Sequence, residues 1–198
     1  NDYDRPPTIF KTSKVVSNDL GLLIAGAESS PISSVGVYQS NLYVGTKSGT
    51  IKHYHLFEDA PEYMLISEVP VSSSSAVLKI LILADVERAL ILCGSVASVY
   101  SLPELSPINI GKLKEVNDIQ TFETAEDGTN VIVLASSKIR IVKVGRDLLK
   151  LVSDLNYSNA LTGVPIKASS SSSPNSKSLA LVANKKNYDI IDLKQIRK

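Results

Sequence analysis

The sequence predicts an all-β chain folded as a β-propeller of four-stranded blades, with about three and a half to four blades present as an incomplete ring. Three observations carry this. The stretch 41–56, NLYVGTKSGTIKHYHL, holds a short apolar run, a turn bounded by Gly45 and Gly49, and a second run rich in β-branched and aromatic residues. That pattern is a hairpin, because glycine takes the positive φ of a tight reversal and the flanking residues suit a pleated surface. Variants return with first residues at 42, 89, 131 and 179, giving steps of 47, 42 and 48 residues. A period of this size built from strands alone is what propeller blades produce.

Taken in order, residues 1–31 read as a lead-in. Residues 1–7 are polar and carry Pro6-Pro7, and 8–16 and 20–27 each contain an apolar segment. Segment 8–16 is expected to act as a ring-closing strand, completing the last blade and removing a sheet edge. Residues 32–198 form the blades of the same single domain. The first blade uses 32–38, the hairpin 42–56 and an outer strand at 63–69. The second uses 77–83, then 89–102 turning at Gly94, then about 108–113. The third uses 119–123, 130–144 and 148–155, with clear alternation in Lys138-Ile139-Arg140-Ile141. The fourth has 164–168, 178–183 and 188–193 but no outer strand. A helix over 77–92 is the competing reading there; the break Ala-Asp-Val-Glu-Arg between two apolar runs favours strand, turn, strand. Ser72–Ser75 and 169–173 read as flexible, solvated loops, although Ser173 precedes Pro174 as a phosphoacceptor would.

Composition narrows the function. The 198 residues are 43% hydrophobic and 21% charged, ordinary for a globular domain, and 21 basic residues against 20 acidic ones leave no field to attract nucleic acid. Cys93 is the only cysteine, so no internal disulfide can form, and a reducing compartment is the simpler expectation. No apolar span is long enough to cross a bilayer as a helix. The chain starts without Met and reads as an excised segment of a cytosolic protein, or of one held at a membrane by its partners. Asn156-Tyr157-Ser158 matches a glycosylation acceptor by a tripeptide that is common by chance.

No active site assembles from the sequence. Gly45-Thr46-Lys47-Ser48-Gly49 lacks the full spacing of a phosphate-binding loop and no helix follows it. His53 and His55 share one strand face, as paired metal ligands can, but no third ligand accompanies them. Cys93 sits among apolar neighbours that describe an inert buried thiol. Glu123, Glu126 and Asp127 precede Gly128 as in a solvated turn. No cofactor, metal or catalytic residue is therefore expected. A distributed feature remains: hairpins between second and third strands open on one rim, so Lys47, Lys138, Lys185 and Lys186 would lie together and could meet an acidic protein surface. Gly45, Gly49 and Gly94 would shape those turns.

The hairpin Leu42-Tyr43-Val44-Gly45-Thr46 with Ser48-Gly49-Thr50-Ile51 and His53-Tyr54 resembles the first blade of citron-homology domains, which are WD-repeat-like propellers. Ala183-Asn184 followed by Asn187-Tyr188-Asp189-Ile190-Ile191-Asp192 is similar to a late blade of that family. Within it the likeness is to the N-terminal propellers of the vacuolar protein-sorting subunits of CORVET and HOPS tethering complexes, nearest the CORVET-specific subunit, with the transforming-growth-factor-β-receptor-associated protein as animal relative. The resemblance implies a protein peripheral to endosome or vacuole membranes that contacts a GTP-loaded Rab-family GTPase and other tethering subunits. Exposed edges on an incomplete ring would also permit a homodimer. Two other roles compete: a scaffold citron-homology propeller of a signalling kinase or Rho-exchange factor, and an enzyme with a central funnel. The second would need convergent His or carboxylate residues that the inner strands lack.

Overall fold

The computed structural model describes residues 30–60, 63–110, 118–125, 130–166 and 179–193. Among these residues, fourteen strands form four antiparallel sheets that follow one another along the chain. Blade I holds β1 (Ile32–Tyr38), β2 (Asn41–Thr46), β3 (Thr50–His55) and β4 (Met64–Pro70). Blade II holds β5 (Val77–Leu83), β6 (Arg88–Cys93) and β7 (Val96–Ser101). Blade III holds β8 (Ile119–Thr124), β9 (Asn130–Ala135), β10 (Lys138–Val144) and β11 (Leu149–Asn156), and blade IV holds β12 (Thr162–Ile166), β13 (Leu179–Ala183) and β14 (Tyr188–Asp192). First strands of successive blades lie side by side, β1 on β5, β5 on β8 and β8 on β12, as they must around a propeller axis.

The blades stack through three apolar seams. Tyr43 and Ile51 of blade I meet Ala89, Ile91 and Tyr100 of blade II. Leu90, Leu92 and Val99 meet Phe122, Val131 and Val133 of blade III, while Ile132, Leu134 and Ile141 face Ala180, Val182 and Ile191 of blade IV. Alternate residues of β6 and of β9 thus serve opposite seams. That is why these strands read as unbroken apolar runs: a second strand buried on both faces has no polar side. Polar clamps reinforce each seam. Tyr43 Oη donates to Pro103 O at 2.7 Å, Arg88 Nε to Arg146 O at 2.7 Å and Tyr157 Oη to Asp189 Oδ2 at 2.8 Å. The terminal blades carry exposed apolar side chains: Val35 and Val37 of β1 are 56% and 58% exposed, and Tyr188 and Ile190 of β14 are exposed too.

Several expectations are corrected. Gly45 is no turn residue: it lies within β2, paired with Ser34 and Ile51. A Cβ there would fall 2.2 Å from Ser34 Oγ and 2.7 Å from Val77 Cγ1, so glycine is required by the approach of blade II. Positive φ belongs to Gly49 (89°) and Gly94 (62°). Of the expected fourth strand of blade II, the described residues show a bridge between Tyr100 and Pro107 and a bond from Ile108 N to Val99 O at 2.9 Å, and residues 111–113 lie outside the described residues. The segment 77–92, by contrast, is strand, turn, strand as expected, its two strands joined by a 3-10 turn at Ala84–Val86. Glu123 sits in β8 and pairs with Lys79 of blade II rather than in a solvated turn. The expected segments 8–16, 20–27 and 169–173, with Glu126, Asp127 and Gly128, lie outside the described residues.

Ser72–Ser75 is an inter-blade linker, but it is pinned rather than loose. Ser72 Oγ accepts from the N–H groups of Ser74 and Ser75, and Gly49 O accepts from those of Val71 and Ser72. Ser75 O receives Cys93 Sγ at 3.2 Å and Ala76 O receives Gly94 N at 3.2 Å. A Cβ at Gly49 would lie 2.2 Å from Ser72 O, a backbone atom that cannot swing away. Gly49→Ala is therefore expected to cost about 2 to 4 kcal/mol, combining left-handed strain with overpacking. Gly94→Ala, whose nearest neighbour is the side-chain oxygen of Ser75 at 3.0 Å, should cost about 1 kcal/mol. Urea unfolding of both variants checks the order, and equal losses would contradict the backbone contact.

Candidate interaction surfaces

Strand parity decides where every loop emerges. Turns between second and third strands share one face, here called upper, with the linkers between blades: Ser95 O accepts from Ile119 N, Ser136 O from Asn159 N, and Ser158 O from Asn184 Nδ2. Turns joining first to second and third to fourth strands share the lower face, where Leu56 N donates to Ser40 O and Leu102 N to Glu87 O.

On the upper face Lys47 is exposed in the β2–β3 turn, and Lys185 and Lys186 are exposed in the β13–β14 turn, where Asn184 Oδ1 accepts from Lys186 N and Asn187 N. Lys138 opens β10 with Nζ 3.3 Å from Asp154 Oδ2, so its charge is largely met within its own blade. Beside Lys185 and Lys186 a cleft of about 490 Å³ opens between blades III and IV, lined also by Gln120, Ser158, Asn159 and Leu161.

The lower face holds the two histidines. Asn41 Nδ2 donates to Tyr38 O, which leaves Asn41 Oδ1 as acceptor for both His53 Nε2 at 2.8 Å and His55 Nδ1 at 2.9 Å. His53 is buried against the Tyr43 ring, with centroids 4.6 Å apart, and His55 meets the edge of Phe57 at 4.7 Å. Burial, then the neighbouring His55, holds His53 below the usual imidazole range, against a weaker opposing pull from Glu104. Burial likewise raises the Tyr43 phenol and the Cys93 thiol. No group of three or more His, Cys, Asp or Glu side chains placed to hold a metal occurs among the described residues. The pair is held on one strand face by the shared Asn41 acceptor, His53 buried and His55 half-buried.

Sequence reasoning missed a charge division. Among the described residues, upper-face loops carry Lys47, Lys185 and Lys186 against Asp118, whereas lower-face loops carry Glu58, Asp59, Asp85, Glu87, Glu104 and Asp147 against Arg146. The net charge of +1 conceals it. Summing charge over alternate loops of the strand meander would have found it.

Consecutive antiparallel sheets of three or four strands among the described residues, packed face to face around first strands, define this chain as part of a β-propeller. It overlays the WD40 domain of Neurospora crassa Pan2 with a TM-score of 0.60 at 12% identity, covering 85% of this chain and 48% of that one. The computationally designed Ika8 protein gives a TM-score of 0.59 at 12% identity, covering 84% and 47%. These likenesses concern the fold. The VPS3 N-terminal domain model matches residues 31–198, and the chain belongs to that family. The vacuolar protein sorting-associated protein 3 of Saccharomyces cerevisiae is 31% identical over 125 residues, covering 61% of this chain and 12% of the relative's length. No helix among the described residues is long and apolar enough to cross a membrane.

The depressed His53 sets a pH dependence. The unfolded chain binds a proton near pH 6.5 that the buried ring takes up only at lower pH, so the His53 contribution is complete above that value and lost on acidification. The melting temperature should fall as the pH drops below about 6.5, and His53→Gln should flatten that fall. An unchanged slope in the variant would contradict the assignment.

Proposed function

We propose that this chain is a non-enzymatic, citron-homology-type interaction propeller of a vacuolar and endosomal sorting subunit, acting within a CORVET-type tethering complex. Its upper face binds a Rab-family GTPase in the GTP-loaded form, and the complex holds it peripherally at endosome or vacuole membranes. The sorting role is supported by membership of the VPS3 N-terminal domain family together with the name of the yeast relative. The observation that favours the upper face is its excess of lysines: Lys47, Lys185 and Lys186 have no ion-pair partner among the described residues. Other subunits of the complex would engage the remaining faces.

The mechanism follows from rigidity. Loops from several blades, fixed by the seams, form one wide preformed surface, which suits a partner whose switch regions order only with GTP. Lysines at its rim steer and orient an acidic partner, contributing more to association rate and selectivity than to bulk affinity.

The chain and a longer native form, immobilised and offered a panel of endosomal Rab GTPases, should retain one of them loaded with a GTP analogue and not with GDP. Lys185→Glu with Lys186→Glu should slow association by roughly tenfold, an effect that shrinks at high salt. Equal retention of both nucleotide forms would reject the effector role, and unaltered association in the double variant would move the contact off this face.

A further inference from the structure

A second cleft, of about 520 Å³, opens on the lower face where blades I and II meet. Phe57 and Ile66 of blade I form one wall, Pro103 and Glu104 of blade II the other, and the His53 and His55 rings close the inner side. Its size is that of ligand sites generally. Phe57 and Ile66 are 46% and 48% exposed, and Met64 beside them is 55% exposed, so the lip of the cleft is apolar. A bulge produces this. Tyr54 pairs with Leu65 and His53 with Ser67, leaving Ile66 as the extra residue of β4, its side chain turned into the cleft.

Two further features narrow what could lie there. β4 pairs only with β3 among the described strands, so its outer backbone groups form a free edge running out of the cleft. No lysine or arginine among the described residues lines the cleft, while Glu104 lies in its wall and Glu58 and Asp59 follow Phe57 in the same loop. An apolar lip, a free strand edge and surrounding carboxylates are complementary to an extended chain carrying both apolar and cationic side chains.

We infer that this cleft and the β4 edge receive an extended basic peptide of a partner protein. The peptide adds a strand along β4, lays an aliphatic or aromatic side chain on Phe57 and Ile66, and sets an arginine or lysine against Glu104. Alternating side chains of the added strand point to the same side, so apolar and basic residues would recur two positions apart. The site is separate from the lysine-bearing upper face, and its occupation leaves that face free.

Selection of a phage-displayed random dodecapeptide library against the 198-residue chain tests this. Enriched peptides are expected to carry arginine or lysine two positions from an apolar residue. Their synthetic forms should bind at least tenfold more weakly to Glu104→Lys and to Phe57→Ser, and unchanged to Lys185→Glu. Melting temperatures of the variants establish that both substituted side chains were removed from a folded protein. Failure to enrich, enrichment of peptides without basic residues, or binding unaltered in both lower-face variants would overturn the proposal. So would a concentration-dependent dimer in sedimentation that Phe57→Ser dissolves, because a second copy would then own the cleft.

Discussion

The close approach of blade I to blade II is the constraint on which the rest depends. Position 45 has no room for a side chain against Val77, and position 36 stands as near to Ile80, where a Cβ would fall 2.8 Å from Cγ2. Ser33 Oγ and Ser34 Oγ both donate to Val77 O, at 2.6 and 2.7 Å, so the two innermost strands are joined by polar as well as apolar contacts. Glycine here gives up backbone entropy on folding, and the recovered contact offsets that loss. With the two sheets this close, the linker has space only as a pinned turn, which Gly49 admits by its positive φ.

From that seam the functional geometry follows. Stacked blades turn a linear meander into two faces, since each strand carries the chain from one face to the other. Charges scattered along the sequence are sorted by strand count: among the described residues, exposed lysines of the second-to-third turns go up, and most loop carboxylates go down with the turns that join first to second and third to fourth strands. A rigid body with two such faces can hold two partners without changing shape, a property suited to a component that links others.

Much of this was legible in the sequence, for physical reasons. β1 and β5 span the residues expected, because the turns that flank them, with the break Ala-Asp-Val-Glu-Arg after β5, mark strands without tertiary help. Second strands were visible as apolar runs because both of their faces are buried. What stayed hidden depends on neighbours distant in sequence. Gly45 looks like a turn glycine until Val77 is placed against it, and Glu123 looks solvated until Lys79 arrives from the adjacent blade. Ser72–Ser75 has the composition of a loose loop, yet it is bonded to Gly49 and to Cys93, which belong to two different blades. The lower cleft has no sequence signature, since its walls come from residues as far apart as Gln39 and Glu104 and its bulge depends on register.

Native-state hydrogen exchange at single-amide resolution tests the central claim most directly. If the seam couples the blades, the amides of Val71, Ser72 and Gly94 open with the same free energy as those of β2 and β6, as members of one cooperative unit. Exchange of the linker amides on the order of a hundredfold faster than β6, with blade I opening on its own, would show that the blades are independent and contradict the account.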